Sequence, residues 1–204
     1  MILDGHIHIF DKSENQKEFV QRLRLAGIDG GILISLPPVS FSSLGPSGSV
    51  AERLDNLFSW CSSGSNLFPF YWIDPLEDDA LDQVTIAVER GVMGFKVICD
   101  KYYPGDERVL PVFRKIVESQ RPILFHSGIL WDGKPSSKYN RPVEFEVLLE
   151  IKGLRFCLAH SAWPWCDELL AVYGKFQRTR TQKSDFSVEM FIDTTPGTPP
   201  IYRR

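Results

Sequence analysis

The four histidines, His6, His8, His126 and His160, are the residues of this chain whose positions most clearly suggest chemistry. His6 and His8 are two positions apart, so on a β-strand both imidazoles would lie on the same face. Two imidazoles on one face can share a cation about 2.0–2.1 Å from each nitrogen. His126 and His160 each follow an apolar run. Together, the four positions favour a metal or catalytic cluster over separate structural histidines.

Seven short apolar runs are predicted to be the strands that carry these histidines at or near their carboxyl ends. Most are nearly continuous in Ile, Leu, Val and Phe, which is typical of parallel strands buried on both faces. The predicted strands are Ile2–Phe10, Gly31–Leu36, Leu67–Ile73, Gly94–Ile98, Pro122–His126, Arg155–His160 and Val188–Asp193.

Amphipathic segments between the runs predict six helices: 16–26, 49–61, 79–90, 110–120, 143–151 and 166–176. Ser49 followed by Glu52 forms a capping-box pattern. Alternation of strands and helices allows a doubly wound sheet or a (β/α)₈ barrel. Neither glycine-rich phosphate-binding motif follows the first strand, so neither motif supports the doubly wound sheet. The carboxyl ends of barrel strands converge at one mouth, where the four histidines would meet.

Composition excludes several other classes of protein. The chain has 204 residues, is 43% apolar and carries a formal net charge of −3, which disfavours a disordered chain and a nucleic-acid-binding protein. We expect no membrane span and, from the first residues, no signal peptide, and therefore a cytoplasmic protein. The four cysteines form no CxxC pair and are expected to be buried thiols.

Five segments together resemble the amidohydrolase superfamily, in its amidohydrolase-related branch of metal-dependent TIM-barrel hydrolases and decarboxylases. They are LDGHIH at 3–8, GVMGFKV at 91–97, PILFHSG at 122–128, FCLAHS at 156–161 and FIDTT at 191–195. Their order and spacing cover nearly the whole chain. The resemblance implies one α/β domain over residues 1–204, a TIM-type barrel of parallel strands.

The resemblance also implies a role for each residue of the cluster. His6, His8 and His126 would be metal ligands, and His160 would lie beside the metal as a catalytic residue. Lys96 occupies the fourth-strand position, where some superfamily members carry a carboxylated bridging lysine. Here it is expected to be a polar residue of the substrate site, with neutralisation of nearby carboxylates as the simpler alternative.

The chain departs from the family pattern at its carboxyl end. The family closes with an eighth strand whose aspartate completes the metal site and acts as general base. In this sequence the seventh-strand motif ends at Asp193 and no eighth strand follows. We expect an incomplete barrel of seven strands, truncated relative to the family, and Asp193 is the nearest candidate for the catalytic carboxylate.

These expectations define a function and its alternatives. A divalent cation, Zn²⁺ with Mn²⁺ as the alternative, would activate water for attack on an ester, lactone or amide carbon of a small molecule. A nonoxidative decarboxylase of an aromatic or unsaturated acid, and a truncated non-catalytic metal-binding barrel, remain open. Aromatic residues on the loops, Tyr102, Trp131 and Trp163, would bind a flat substrate. Related barrels often pair, so a homodimer is an assembly to test.

Overall fold

The computed structural model describes residues 1–9 and 15–195, which contain seven strands. All seven predicted strands are confirmed, and no end differs from its prediction by more than two residues. Phe10, the predicted end of the first strand, lies outside the described residues. The strands are β1 (Leu3–His8), β2 (Gly30–Ile34), β3 (Leu67–Trp72), β4 (Gly94–Val97), β5 (Ile123–Phe125), β6 (Arg155–Leu158) and β7 (Glu189–Ile192).

Five of the six predicted helices are α-helices: α1 (Gln16–Leu25), α2 (Val50–Cys61), α3 (Ala80–Glu89), α4 (Leu110–Glu118) and α5 (Cys166–Gln182). The predicted capping box at the start of α2 is present, with Glu52 N–H donating to the Ser49 hydroxyl and Glu52 Oε2 accepting from Ser49 N–H. Asn15 caps α1 through its side-chain oxygen. Among the described residues, no helix is both long and apolar enough to cross a membrane.

The sixth predicted helix is not an α-helix, because the segment Pro142–Glu150 is a 3₁₀-helix. Its buried residues explain the difference. Pro142, Phe145 and Leu148 are buried, and so is Ile151 directly after the segment. These positions recur every three residues, which matches the three residues per turn of a 3₁₀-helix and places all four on one side.

The chain divides into two compact units. The first takes in Met1–Asp74 and Asp82–Lys96, and the second takes in Pro75–Leu81 and Val97–Arg204. In the first unit, β1 pairs with β2, β2 with β3 and β3 with β4, all parallel. In the second, β5 pairs with β6 and β6 with β7, again parallel. Parallel strands alternating with helices confirm the predicted α/β fold of TIM-barrel type, with seven strands in the described residues.

The interior of the first unit is formed by strand residues and the inner face of α2. Leu54, Leu57 and Trp60 of α2 are fully buried, and Leu33 and Tyr71 are buried on the neighbouring strands. Successive residues of β2 and β3, which point to opposite faces of the sheet, are mostly buried, as expected for a parallel sheet covered by helices.

Five phenylalanines form the interior of the second unit. Phe125 on β5 lies at its centre, with ring centroids 5.3 Å from Phe113 and from Phe145 and 6.1 Å from Phe156. Phe156 in turn lies 5.3 Å from Phe176 on α5. All of these contacts are edge-to-face, an arrangement that aromatic quadrupoles favour. The cluster holds β5 and β6 against α4 and α5, and thereby fixes the strand ends from which His126 and His160 follow.

Phe125→Ala should lower the free energy of unfolding by about 3–5 kcal/mol, because it removes a fully buried ring and leaves a cavity beside the rings of Phe113, Phe145 and Phe156. Urea denaturation measures this loss. Phe191→Ala is the matched control, since Phe191 is 54% exposed and should cost less than about 1 kcal/mol. Losses of similar size at the two positions would show that the phenylalanine cluster does not hold the second unit together.

Candidate active site

Backbone hydrogen bonds that continue beyond the strands fix the segments that carry the predicted site residues. In each case an amide just past one strand donates to a carbonyl on its neighbour. The bonds are Ile9 N to Ile34 O at 3.2 Å, Ser35 N to Phe70 O at 2.9 Å, Ile73 N to Lys96 O at 2.9 Å, His126 N to Val97 O at 2.9 Å, Ala159 N to Phe125 O at 3.0 Å and Asp193 N to Leu158 O at 3.0 Å. Six loop starts are therefore held as firmly as the sheet itself.

The first pair of histidines lies at the end of β1, where the Nε2 atoms of His6 and His8 are 3.1 Å apart. The pairing of β1 with β2 is irregular around His6: Asp4 is opposite Gly31, but Ile7 is opposite Leu33, so β1 has one extra residue between Asp4 and Ile7. Such bulges re-aim side chains near functional sites. The Asp4 carboxylate accepts from the backbone N–H of His6 at 2.9 Å, and so it holds the bulged main chain.

The spacing of these two nitrogens fits a shared cation. Two ligand nitrogens about 2.0–2.1 Å from one tetrahedral ion lie roughly 3.3–3.4 Å apart. The observed separation of 3.1 Å is close to that value. Without an ion, two neutral imidazoles satisfy this contact by one N–H donating to the other nitrogen. The pair can therefore supply two nitrogen ligands to a metal ion, and in the absence of an ion the two rings can share a hydrogen bond.

Trp72, which sequence reasoning missed, lies beside His8. Its ring is edge-on to the His8 ring at 5.4 Å and 5.3 Å from Phe41. The indole is 4% exposed, and within the described residues its Nε1 has no hydrogen-bond partner. A buried N–H donor without a partner is costly, and here it lies next to a candidate ligand. Its position as the final aromatic residue of an apolar run was the available sequence signal.

Three ionisable side chains are buried in the first unit: Arg53 on α2, Asp74 after β3 and Lys96 within β4, each at most 1% exposed. Arg53 Nε donates to the Leu36 carbonyl at 3.2 Å, and its Nη2 donates to the Trp72 carbonyl. Its guanidinium also lies 4.4 Å over the Tyr71 ring. Arg53 therefore ties the ends of β2 and β3 together. Lys96, a predicted substrate residue, is in the interior of β4 rather than on an exposed rim.

The second pair, His126 and His160, belongs to the second unit, with ring centroids 5.0 Å apart and ring planes 60° apart. His126 is the first residue after β5 and is buried. Its Nε2 lies 3.3 Å from the Ile129 carbonyl oxygen. Because a carbonyl oxygen can only accept, this contact favours a proton on Nε2 of His126 and a lone pair on Nδ1.

His160 begins a left-handed turn that sequence reasoning did not predict. The φ angles of His160, Ser161 and Ala162 are +63°, +47° and +51°. Each non-glycine residue in this region costs on the order of 1–3 kcal/mol, and such residues concentrate at functional sites. The turn is held by Ser161 N–H, which donates to the Asp193 carbonyl at 2.7 Å. The strained turn and the end of β7 are thus joined directly.

Asp193, the predicted catalytic carboxylate, is linked to His160 through Thr195. Asp193 Oδ1 accepts from Thr195 N–H at 2.5 Å and from the Thr195 hydroxyl. The same hydroxyl oxygen lies 3.2 Å from Nδ1 of His160. The two residues predicted to be catalytic are therefore brought together, and Thr195 is the functional residue between them that the sequence did not single out.

The predicted substrate-binding aromatics have different environments. Trp131 and Trp163, on the loops after β5 and β6, are stacked with centroids 6.4 Å apart and planes 19° apart. Trp131 is 60% exposed and presents a flat apolar surface to solvent. Tyr102 is 1% exposed, and its hydroxyl donates to the Ile98 carbonyl at 3.2 Å. Tyr102 thus packs in the interior, whereas the tryptophans form an accessible stacking surface.

Each of the two units brings two of the four histidines together. His6 and His8 belong to the first unit, and His126 and His160 to the second. Within residues 1–9 and 15–195, no group of three or more His, Cys, Asp or Glu side chains forms an arrangement that could hold a metal ion. The joint ligand set of His6, His8 and His126 stays a prediction.

Cys61 and Asp106, which lie outside these pairs, have shifted pKa values. Burial raises the pKa of Cys61 to about 12, so its thiol stays protonated at neutral pH, and all four cysteines are free thiols. Hydrogen bonds from Arg108 lower the pKa of Asp106 to about 2. Arg108 is one of the residues lining a cleft of about 580 Å³, with Pro75, Leu76, Glu77, Asp78 and Lys101. This lining does not include the predicted site residues.

Solved structures with a similar fold are enzymes of different kinds. The dihydroorotase of Campylobacter jejuni has a TM-score of 0.53 at 12% identity, over 94% of this chain and 52% of its own. DHDPS from Cyanidioschyzon merolae, with lysine bound, has a TM-score of 0.52 at 13% identity, and the match covers 92% of this chain and 61% of that protein. The N-acetylneuraminate lyase of Mycoplasma synoviae has a TM-score of 0.51 at 12% identity, and the match covers 94% of this chain and 68% of that protein. At these identities the likeness shows the TIM-barrel fold alone.

This chain spans about half the length of the dihydroorotase that it resembles. No protein-family model and no curated protein matches the sequence. The function must therefore be argued from the side chains themselves.

Gly128 keeps the loop after His126 close to the turn after His160. Its φ is +92°, and a Cβ there would lie 2.5 Å from the Trp163 carbonyl oxygen. The amide of the next residue, Ile129, donates to that same carbonyl at 2.9 Å. Only glycine combines this backbone conformation with so close an approach of two main chains.

Gly128→Ala should lower the free energy of unfolding by more than about 2 kcal/mol, because it adds a backbone clash to the cost of a positive φ. Gly133→Ala separates the two effects, since Gly133 also has a positive φ, +72°, but open space around its Cα. It should lose only about 1 kcal/mol. Thermal or urea denaturation of both variants measures the difference, and equal losses would rule out the clash.

Proposed function

We propose that this chain is a metal-dependent hydrolase that acts on an ester, lactone or amide bond of a small molecule. The observation that carries the proposal is the approach of two imidazole nitrogens to 3.1 Å at the end of β1, in a fold of TIM-barrel type. Structures with this fold include a dihydroorotase, a lyase and a DHDPS, all of them enzymes. The resemblance of the histidine motifs to the amidohydrolase-related branch supports hydrolysis among these chemistries.

The proposed ligands of the divalent cation are His6, His8 and His126. The first two meet the distance requirement of a shared ion, and His126 enters from the sequence motif. Imidazole ligands suit Zn²⁺ and also Mn²⁺, with zinc the expected ion. When bound, the ion would supply Lewis acidity, polarising a carbonyl oxygen and lowering the pKa of a water molecule.

Proton movement falls to the linked residues of the second unit. His160 supplies an imidazole, the side chain that most often serves as a general acid or base. Asp193 is tied to it through Thr195 and balances the charge that the imidazole would acquire. Substrate orientation is assigned to the Trp131–Trp163 surface and to the buried side chain of Lys96.

Nonoxidative decarboxylation is the second candidate, and the stacked tryptophans favour it. Two indoles with planes 19° apart, one of them 60% exposed, are suited to a flat unsaturated acid. A hydrolase of aromatic esters would use the same surface, so the choice depends on which substrates turn over.

Metal content and turnover, measured together, test the proposal. His6→Ala and His8→Ala should each lower bound zinc, measured by elemental analysis after dialysis, and activity in parallel, because loss of a ligand lets the ion leave. His126→Ala should act in the same way, whereas His160→Ala should retain more metal than His126→Ala. Activity is measured with a panel of esters, lactones, amides and aromatic carboxylates, with added Zn²⁺ or Mn²⁺.

Cys166→Ser controls for adventitious binding of metal to a free thiol and should keep both metal and activity. Equal metal retention in all four histidine variants would contradict the ligand assignment. Carbon dioxide release from the carboxylates without hydrolysis of the other compounds would favour the decarboxylase. Stable metal binding without turnover of any compound would leave a non-catalytic metal-binding barrel.

A further inference from the structure

The second unit contains a hydrogen-bonded chain from a carboxylate to an imidazole by way of a hydroxyl group. Thr195 N–H donates to Asp193 Oδ1 at 2.5 Å, and the Thr195 hydroxyl donates to the same oxygen. On the other side, Nδ1 of His160 lies 3.2 Å from Thr195 Oγ1 and 3.4 Å from the Thr195 carbonyl oxygen. A single threonine thus faces both the carboxylate and one specific ring nitrogen.

The direction of each hydrogen bond in this chain follows from the donors that are available. A hydroxyl has one proton, and the geometry directs it to Asp193 Oδ1, an oxygen that already accepts from a backbone N–H. Thr195 Oγ1 therefore presents a lone pair to His160. The carbonyl of Thr195 has only lone pairs to offer. Both oxygens beside Nδ1 are acceptors, so Nδ1 must carry the proton.

We propose that Thr195 is a positioning residue that holds His160 as the Nδ1–H tautomer and places the lone pair of the neutral ring on Nε2. Asp193 acts through Thr195, since it orients the hydroxyl proton away from the imidazole. Thr195 touches neither substrate nor metal in this account. Which ring nitrogen binds a cation or accepts a proton is set by the hydrogen bond at the other nitrogen.

The backbone supports this arrangement independently of the side chains. The left-handed turn at His160 and the bond from Ser161 N–H to the Asp193 carbonyl, at 2.7 Å, join the turn to the end of β7. Asp193 N–H in turn donates to Leu158 at 3.0 Å, which extends the β6–β7 pairing. The relative positions of His160 and Asp193 are therefore fixed by main-chain bonds, and Thr195, two residues later, completes the connection.

The tautomer claim stands on the hydrogen bonds alone, whereas its consequence for catalysis rests on the proposed function. A neutral His160 with its lone pair on Nε2 could accept a proton or bind a cation only through that atom. A ring fixed in the other tautomer would present an N–H there and could do neither. The Thr195 hydroxyl thus determines whether Nε2 of His160 carries a basic lone pair.

Nitrogen-15 NMR of the histidine side chains tests the inference directly, at a pH at which His160 is neutral. Spectra are recorded on the chain as purified and after dialysis against a chelator, with His160 assigned from the resonances missing in His160→Gln. The wild type should show the proton on Nδ1. In Thr195→Val the Nδ1–H to Nε2–H ratio should fall roughly 2- to 12-fold, the factor that one net hydrogen bond provides. Thr195→Ser keeps the hydroxyl and should restore the wild-type ratio.

Two internal controls distinguish a specific effect from a disturbed fold. Thr194→Val changes the exposed neighbouring threonine and should leave the His160 tautomer unchanged. His126, whose Nε2 contacts the Ile129 carbonyl, should keep the opposite tautomer in every variant. If Thr195→Val does not fold, Thr195→Ala provides the same comparison, and the wild-type spectrum by itself still decides the tautomer.

An Nε2–H tautomer of His160 in the wild type would overturn the inference, and so would an unchanged ratio in Thr195→Val. These outcomes differ from failure of the proposed function. A chain that binds no metal but shows Nδ1–H at His160 would refute the metal-dependent hydrolase and leave the role of Thr195 intact. A chain that binds zinc through His6 and His8 but shows the other tautomer would do the reverse.

Discussion

Main-chain pairing beyond the ends of parallel strands is the constraint on which the candidate site depends. At six strand ends, the backbone amide of the first residue beyond the strand still donates to a carbonyl of the neighbouring strand. His126 and Asp193 themselves supply two of these amides. His8, Asp74 and His160 each lie directly next to a residue that supplies another. Functional groups on loops are usually mobile, but these begin from a backbone as ordered as the sheet.

Near the candidate site residues, the backbone departs from its most stable local conformations. The extra residue in β1 disturbs the pairing with β2 and places His6 and His8 within reach of each other. The left-handed turn at His160 adds strain, and Gly128 permits a close approach of two loops. The burial of the Arg53 guanidinium adds a charge to the interior, where a charge is stable only when it is paired or hydrogen-bonded. Departures from the most stable local structure are expected where a site has a function.

The sequence predicted the elements well because the signal for them is local. Seven apolar runs became seven strands, and the Ser49 capping box marked the start of α2. The segment after Pro142 was predicted as an α-helix, although its buried residues recur every three positions and it forms a 3₁₀-helix. A period of three is close enough to 3.6 to be mistaken over a single short segment.

Features of the site that depend on contacts across the sheet could not be predicted in the same way. The bulge between Asp4 and Ile7 exists only relative to β2, and the sequence of β1 alone does not indicate it. Thr195 matters because the turn at His160 brings the imidazole to it, across 35 residues of sequence. Tyr102 follows a strand, as a residue of the barrel mouth should, but its ring packs inward. Position along the chain therefore indicated which residues lie near strand ends, and packing determined which way each of them faces.

X-ray absorption spectroscopy of the zinc-loaded chain tests the central claim most directly, because it counts the imidazoles bound to the ion. The account predicts at least two nitrogen ligands with imidazole scattering at about 2.0–2.1 Å in the wild type, and at least one fewer in His8→Ala. A zinc shell without imidazole, or one that is identical in the wild type and in His8→Ala, would show that the two histidines at the end of β1 form a hydrogen bond and nothing more.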